Sequence, residues 1–160
     1  MSAVVQAKTG RIMAWKDSIP LHYEYTAGAA GELFLRELKE GRILASKCTT
    51  CGEVRVPPRT YCLECGAGTR IDVELQHSGR IASLSTVRLQ VDLTLRTSFG
   101  FVTFAGVHGG LVHKILHDGR KDPKVGDPVM PLFLALGLRK GSILDVAGFR
   151  TAARTPVGND

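Results

Sequence analysis

Two Cys-x2-Cys pairs, Cys48 with Cys51 and Cys62 with Cys65, hold every cysteine of this 160-residue chain inside the stretch CTTCGEVRVPPRTYCLEC. A two-residue gap lets one tight turn aim both sulfurs at a common point, and the segment between the pairs brings the second turn round to the first. Four thiolates gathered in this way make a closed tetrahedral site, the ligand set of structural zinc. Gly52 and Gly66 each follow the second cysteine of a pair, where a positive φ is commonly required. Three other readings compete: two disulfides, a redox dithiol, or buried free thiols. Disulfides fit poorly with a chain whose first twenty residues show Lys8, Arg11, Lys16 and Asp17 and no secretory signal. A redox motif would need a single pair set between a strand and a helix. A four-cysteine metal site is therefore expected, with zinc preferred to iron. With four protein ligands no coordination position is left for substrate, so the ion should serve folding, at about 10–16 kcal/mol of apparent binding free energy in comparable peptides.

The elements around this site must position it. Between the pairs, Val56-Pro57-Pro58-Arg59 cannot be a central strand, because two prolines remove two donors. Arg55 and Arg59 flank that turn as candidates for a phosphate or as solvated loop charges. Upstream, residues 27–41 (AGAAGELFLRELKEG) read as a helix with Leu33, Phe34 and Leu38 on one side and Gly41 as its stop. Its apolar stripe is expected to pack on the downstream domain, with a partner surface as the alternative. Downstream the period changes to two. Ile71, Val73 and Leu75 alternate with Arg70, Asp72 and Glu74, and further strands are expected near 80–88, 98–107, 110–117, 127–135 and 142–149. Short strands without long helices between them indicate a mainly β fold, here a small Greek-key barrel of the oligonucleotide/oligosaccharide-binding (OB) type. The expected organisation is an N-terminal segment with a docking helix (1–41), a four-cysteine ribbon (42–68), an OB barrel (69–150) and a flexible tail (151–160).

Lys and Arg outnumber Asp and Glu by 21 to 15, a net charge of +6, without a clustered basic run. That mild surplus suits an anionic small molecule as well as a nucleic acid. Nucleic-acid-binding barrels interleave exposed aromatics with basic groups, whereas Phe99, Phe101 and Phe104 in SFGFVTFAGV read as core. A zinc-ribbon protein that binds nucleic acid is therefore the secondary reading. The longest apolar run, residues 130–138, contains Pro131 and Gly137 and is too short to span a membrane; no membrane association is expected and the cytoplasm is the expected location. No nucleophile elbow, phosphate loop, zinc-protease helix or dinucleotide fingerprint is present. His113 and His117, on one strand face, would lie ~13 Å apart at about 3.3 Å per residue, too far to share an ion. His108 adjoins a Gly-Gly turn. No catalytic residue is expected.

LFLRELKEGRILASKC leading into the first pair, the Pro-Pro-Arg between the pairs, GRIASLSTV opening the barrel and KVGDPVMPLF late in it together resemble the domain of unknown function 35 (DUF35) family. The resemblance spans roughly residues 20–150. It implies a helical segment, a rubredoxin-like zinc ribbon and an acyl-CoA-associated OB fold, acting as a non-catalytic subunit. The partners implied are thiolase-superfamily enzymes, or related aldolases and hydratases, that handle CoA thioesters. All four ligand positions, Cys48, Cys51, Cys62 and Cys65, are kept, so one zinc per chain is expected. CoA or acyl-CoA is the implied ligand, with Arg55, Arg59 and Arg80 assigned to its phosphates. His108-Gly109-Gly110 departs from the acidic residue and glycine expected at that hairpin.

Overall fold

The computed structural model describes residues 3–6, 13–16, 20, 22, 25–75, 78–89, 92–116 and 122–151, with backbone alone at 3–6, 13–16, 88–89 and 92–96. Two short strands, β1 (Ala3–Gln6) and β2 (Met13–Lys16), pair antiparallel. The helix follows as α1 (Gly28–Glu40), close to the span its periodicity predicts. It ends where Gly41 turns left-handed at φ 84°, so that the Gly41 and Arg42 N–H groups donate to the Leu38 and Glu37 carbonyls.

An open four-stranded sheet comes next in the order β5–β3–β4–β8, from β3 (Leu44–Cys48), β4 (Val54–Val56), β5 (Thr69–Glu74) and β8 (His108–Gly109). Its strands come from both sides of the boundary expected between residues 68 and 69. The remaining strands, β6 (Gly79–Leu89), β7 (Asp92–Thr103), β9 (Leu111–Leu116), β10 (Pro128–Phe133) and β11 (Val146–Thr151), close into a barrel in the order β6–β7–β9–β11–β10. Numbered within the barrel this is 1-2-3-5-4, with strands 3 and 5 parallel and the other pairs antiparallel. The expected OB-type barrel is thus what the chain forms.

One apolar core runs through all three parts. Phe34 and Leu38 of α1, Ala45 and Val56 of the ribbon sheet, and Ile81, Val102, Ile115, Val129 and Phe149 of the barrel belong to a single buried cluster. Each large side chain so buried contributes about 1.5–3 kcal/mol. The stripe on α1 therefore finds its core within its own chain, as expected.

The ribbon meets the barrel at β8, which pairs in parallel with β4. Gly109 there has φ 80°, and a Cβ on it would collide with the Val56 carbonyl oxygen; one on Gly110 would collide with the Val102 carbonyl and the Phe101 ring. The Gly-Gly pair that departs from the expected hairpin is what allows the two sheets to approach.

Phe99 corrects the sequence expectation. Phe104 is buried and Phe101 half-buried, but Phe99 is 46% exposed on the outer barrel face, opposite Ser85 and Lys114. The run is apolar on both faces because its outer face is itself apolar.

Candidate metal centre

Two turns of near-identical construction carry the cysteines. The Cys48 N–H donates to the Glu53 carbonyl and the Cys62 N–H to the Ala67 carbonyl, both at 2.8 Å. Gly52 and Gly66, at φ 77° and 72°, turn the chain back after each pair, as their positions predict. An isolated bridge between Tyr61 and Gly68 and a bond from the Thr49 N–H to the Gly68 carbonyl lock one turn beside the other.

All four Sγ atoms lie within 4.8 Å of one another. Cys48 to Cys65 is 3.5 Å, Cys51 to Cys62 is 3.6 Å and Cys51 to Cys65 is 3.8 Å. Sulfurs about 2.3 Å from a central ion at tetrahedral angles stand roughly 3.8 Å apart, whereas bonded sulfurs stand about 2.05 Å apart. The donor set fits a zinc ion, and the sulfurs are not paired as disulfides. Cys48 and Cys62 are buried while Cys51 and Cys65 face solvent. Four sulfurs leave no open position on the ion, which suits it to structure.

Electrostatics around the sulfurs differ from side to side. The Cys51 and Thr50 N–H groups, each 3.4 Å from the Cys48 sulfur, bring its pKa down to about 6. The Cys62 thiol instead donates to Glu53 Oε2 at 2.9 Å, and that carboxylate, together with burial, pushes its pKa up. Glu53 is held below the usual carboxylate range by the same thiol and by Arg55. Once an ion binds, every ligand sulfur is thiolate, and Arg55 becomes the cation that offsets Glu53.

Glu53 is a site residue that sequence reasoning missed. The signal was the alternation Glu53-x-Arg55 at the start of β4, which puts both side chains on one face. Arg55, assigned from sequence to a CoA phosphate, pairs with Glu53 and reaches Glu64 at 3.4 Å. His108 Nδ1 lies 3.9 Å from Glu53 on the other side. The other two arginines line separate clefts. Arg59 faces the first turn of α1 across a cleft of roughly 400 Å³ that Pro57, Pro58 and Tyr61 also line. Arg80 lines a cleft of roughly 320 Å³ with Thr103, Phe104 and Pro128, and its Nη1 donates to the Gly126 carbonyl. The three arginines do not converge on one cleft. His113 Nε2 lies 3.2 Å from the Ile143 carbonyl oxygen and its ring meets Phe149 edge-on, which makes it a packing group; His117 lies outside the described residues.

Among the described residues no helix is long and apolar enough to cross a membrane. Residues 36–70 match the family model for the ChsH2 rubredoxin-like zinc ribbon domain. No curated protein matches the chain. A solved DUF35-family protein of unknown function from Sulfolobus solfataricus shares 26% identity at a TM-score of 0.62, with 81% of this chain and 90% of that one covered. A chain of the Ltp2-ChsH2(DUF35) aldolase shares 20% identity at a TM-score of 0.56, with 76% and 93% covered. The likeness read from the ribbon, helix and barrel is the likeness these comparisons find.

Proposed function

We propose that this chain, which carries a ChsH2-type zinc ribbon on the fold of a DUF35 protein, is a non-catalytic subunit of an enzyme complex that handles acyl-CoA thioesters. The observation that carries the reading is the joining of a closed four-sulfur site to an OB barrel, in a chain whose fold resembles that of a protein solved as part of an aldolase. A saturated metal cannot activate water or substrate, and the thiol that stands beside a carboxylate, Cys62 on Glu53, is one of the four sulfurs such a metal would occupy. The chain's contribution is then to binding and assembly. The partner is an aldolase or hydratase, or a thiolase-superfamily enzyme. In this reading the CoA phosphates meet Arg59 and Arg80, each at the edge of its own cleft, while Arg55 helps to hold the ribbon. Thiolate ligands that must stay reduced suit the cytoplasm.

The test is affinity capture of the tagged chain from its native organism at moderate salt, with metal analysis and mass spectrometry of the same sample. One zinc per chain and a stoichiometric aldolase, hydratase or thiolase-fold enzyme are expected, and the purified complex should retain CoA better than dephospho-CoA. Capture of nucleic acid, released steeply by salt, would replace this reading. That second reading is favoured by one observation, the exposed Phe99 cross-strand from Lys114.

A further inference from the structure

OB barrels take their ligands on the outer face of their second and third strands and on the loops that join strands one to two and four to five. Here those are the outer face of β7 and β9, the connection at 90–91, which lies outside the described residues, and the loop 134–145. On the face, Phe99 pairs with Lys114 and Phe101 with Val112, while Val87 lies on the adjoining β6. Phe99, Val112 and Val87 are 46, 70 and 47% exposed. The loop adds Leu136, Leu138 and Leu144, each about two-thirds exposed, with Ile143 less so. The loop approaches β9 through His113, whose side chain lies on the other side of the strand from the outward Val112 and Lys114 and stands 3.2 Å from the Ile143 carbonyl. Seven of the thirteen large apolar side chains exposed among the described residues belong to this face and this loop, the two places an OB barrel uses for its ligands.

The loop is not a floppy connection. Asp145, 2% exposed, accepts from the Lys140, Gly141 and Ser142 N–H groups at 2.7–3.1 Å. Ser142 accepts from the Leu144 N–H, and the Leu134 N–H donates to the Asp145 carbonyl. Arg139 donates to the Leu134 and Lys39 carbonyls and lies over the Phe133 ring. A backbone held this firmly presents its leucines to solvent with little ordering left to lose on binding.

We propose that this surface is the docking face for the partner enzyme, an inference that rests on the accessory-subunit reading. Charge selects the occupant. Lys114 is the one charged side chain described on the outer face of β7 and β9; in the loop Lys140 is exposed, Arg139 is half-buried with its guanidinium on the Leu134 and Lys39 carbonyls, and Asp145 is buried and fully used. The complementary partner surface is an apolar depression with carboxylates at its rim. A second copy docking patch to patch would set lysine against lysine. Among the described side chains, two exposed lysines are too few to track a phosphate backbone. A lasting interface buries about 800 Å² per partner, and the apolar side chains of β6, β7 and β9 with the exposed leucines of the loop give such an area its desolvated centre.

The experiment uses the full chain with the enzyme identified by capture, re-expressed and purified. Affinity is measured for the wild type, for Leu138→Asp with Leu144→Asp, for Val112→Asp, and for Val125→Asp, an exposed apolar site before β10 outside the surface. Zinc content and melting temperature are read alongside. The first two variants should weaken binding about 30-fold or more and leave zinc unchanged, and Val125→Asp should bind within twofold of wild type. Should either variant misfold, Lys114→Glu replaces it and should weaken binding several-fold. Near-wild-type affinity in all of them overturns the docking face and leaves the accessory-subunit reading standing. Failure of the wild type to retain any such enzyme removes both. Loss in these variants of self-association, or of binding to a labelled single-stranded oligonucleotide, in place of enzyme binding would assign the face to that other occupant and overturn the proposal.

Discussion

The ribbon and the barrel solve the same problem by different physics. The ribbon has strands of three to five residues, β3 and β4, beside two turns gathered around four sulfurs, two of them facing solvent, and a Glu53–Arg55 ion pair. The barrel has five strands closed around Ile81, Val102, Ile115, Val129 and Phe149, all essentially inaccessible. One has the ligands to be ordered by an ion, the other is ordered by burial. Yet they share strands across β4 and β8, and α1 packs its Phe34 and Leu38 into the cluster that joins them. The difference teaches where the chain can be perturbed: at the sulfurs without touching the barrel, and in the barrel with the sulfur site as the readout of what the shared core transmits.

Metal removal should give the largest effect. Binding of structural zinc at about 10–16 kcal/mol is folding free energy for a module of this kind, so a chelator, or Cys48→Ser, should strip amide-exchange protection from β3, β4 and the turns while β7, β9 and β11 stay protected. If the barrel lost protection in parallel, the two regions would be one cooperative unit and the contrast would fail. The converse comes from Phe149→Ala, which empties the barrel centre and should cost about 3–5 kcal/mol. Denaturant melting should show that loss, and zinc stoichiometry at low denaturant should remain one per chain. Loss of zinc in that variant would mean that the barrel holds the ribbon in shape.

Much of this was legible in sequence because the signals were local. Spacing and following glycines gave the four ligands and their turns, Gly41 gave the helix stop, and alternation at Ile71, Val73 and Leu75 gave β5. Non-local pairings were not readable. Nothing near Thr69 says that β5 joins the ribbon sheet, and nothing at His108 says that two residues there will pair with β4 beyond fifty positions upstream. Phe99 was misplaced for a related reason. Aromatics in a run apolar on both faces satisfy a core assignment, and only closure of the barrel decides which parity points outward. Glu53 went unread because carboxylates seldom stand beside thiolates, and it is Arg55, on the same strand face, that makes the placement tolerable.

A third region, the loop 134–145, belongs to neither scheme and gives the smallest effect. Its order depends on one buried carboxylate. Burial alone would raise the Asp145 pKa, but the Lys140, Ser142 and Gly141 N–H groups and nearby Arg139 outweigh it and hold the group below the ordinary aspartate value. A pKa lower in the folded than in the unfolded chain means stability that is fully present above the unfolded value, near 3.9, and lost as pH falls through the folded value. Asp145→Asn keeps the size, removes the charge and replaces one accepting oxygen by a donor facing backbone N–H groups. It should cost about 1–3 kcal/mol at neutral pH, and the deficit relative to wild type should shrink as pH drops below 4. Zinc content and barrel exchange protection should not change, while residues 136–144 should exchange faster. A pH-independent deficit would show that shape and not charge holds the loop, and it would remove the reason for treating this segment as a region distinct from the apolar barrel beneath it.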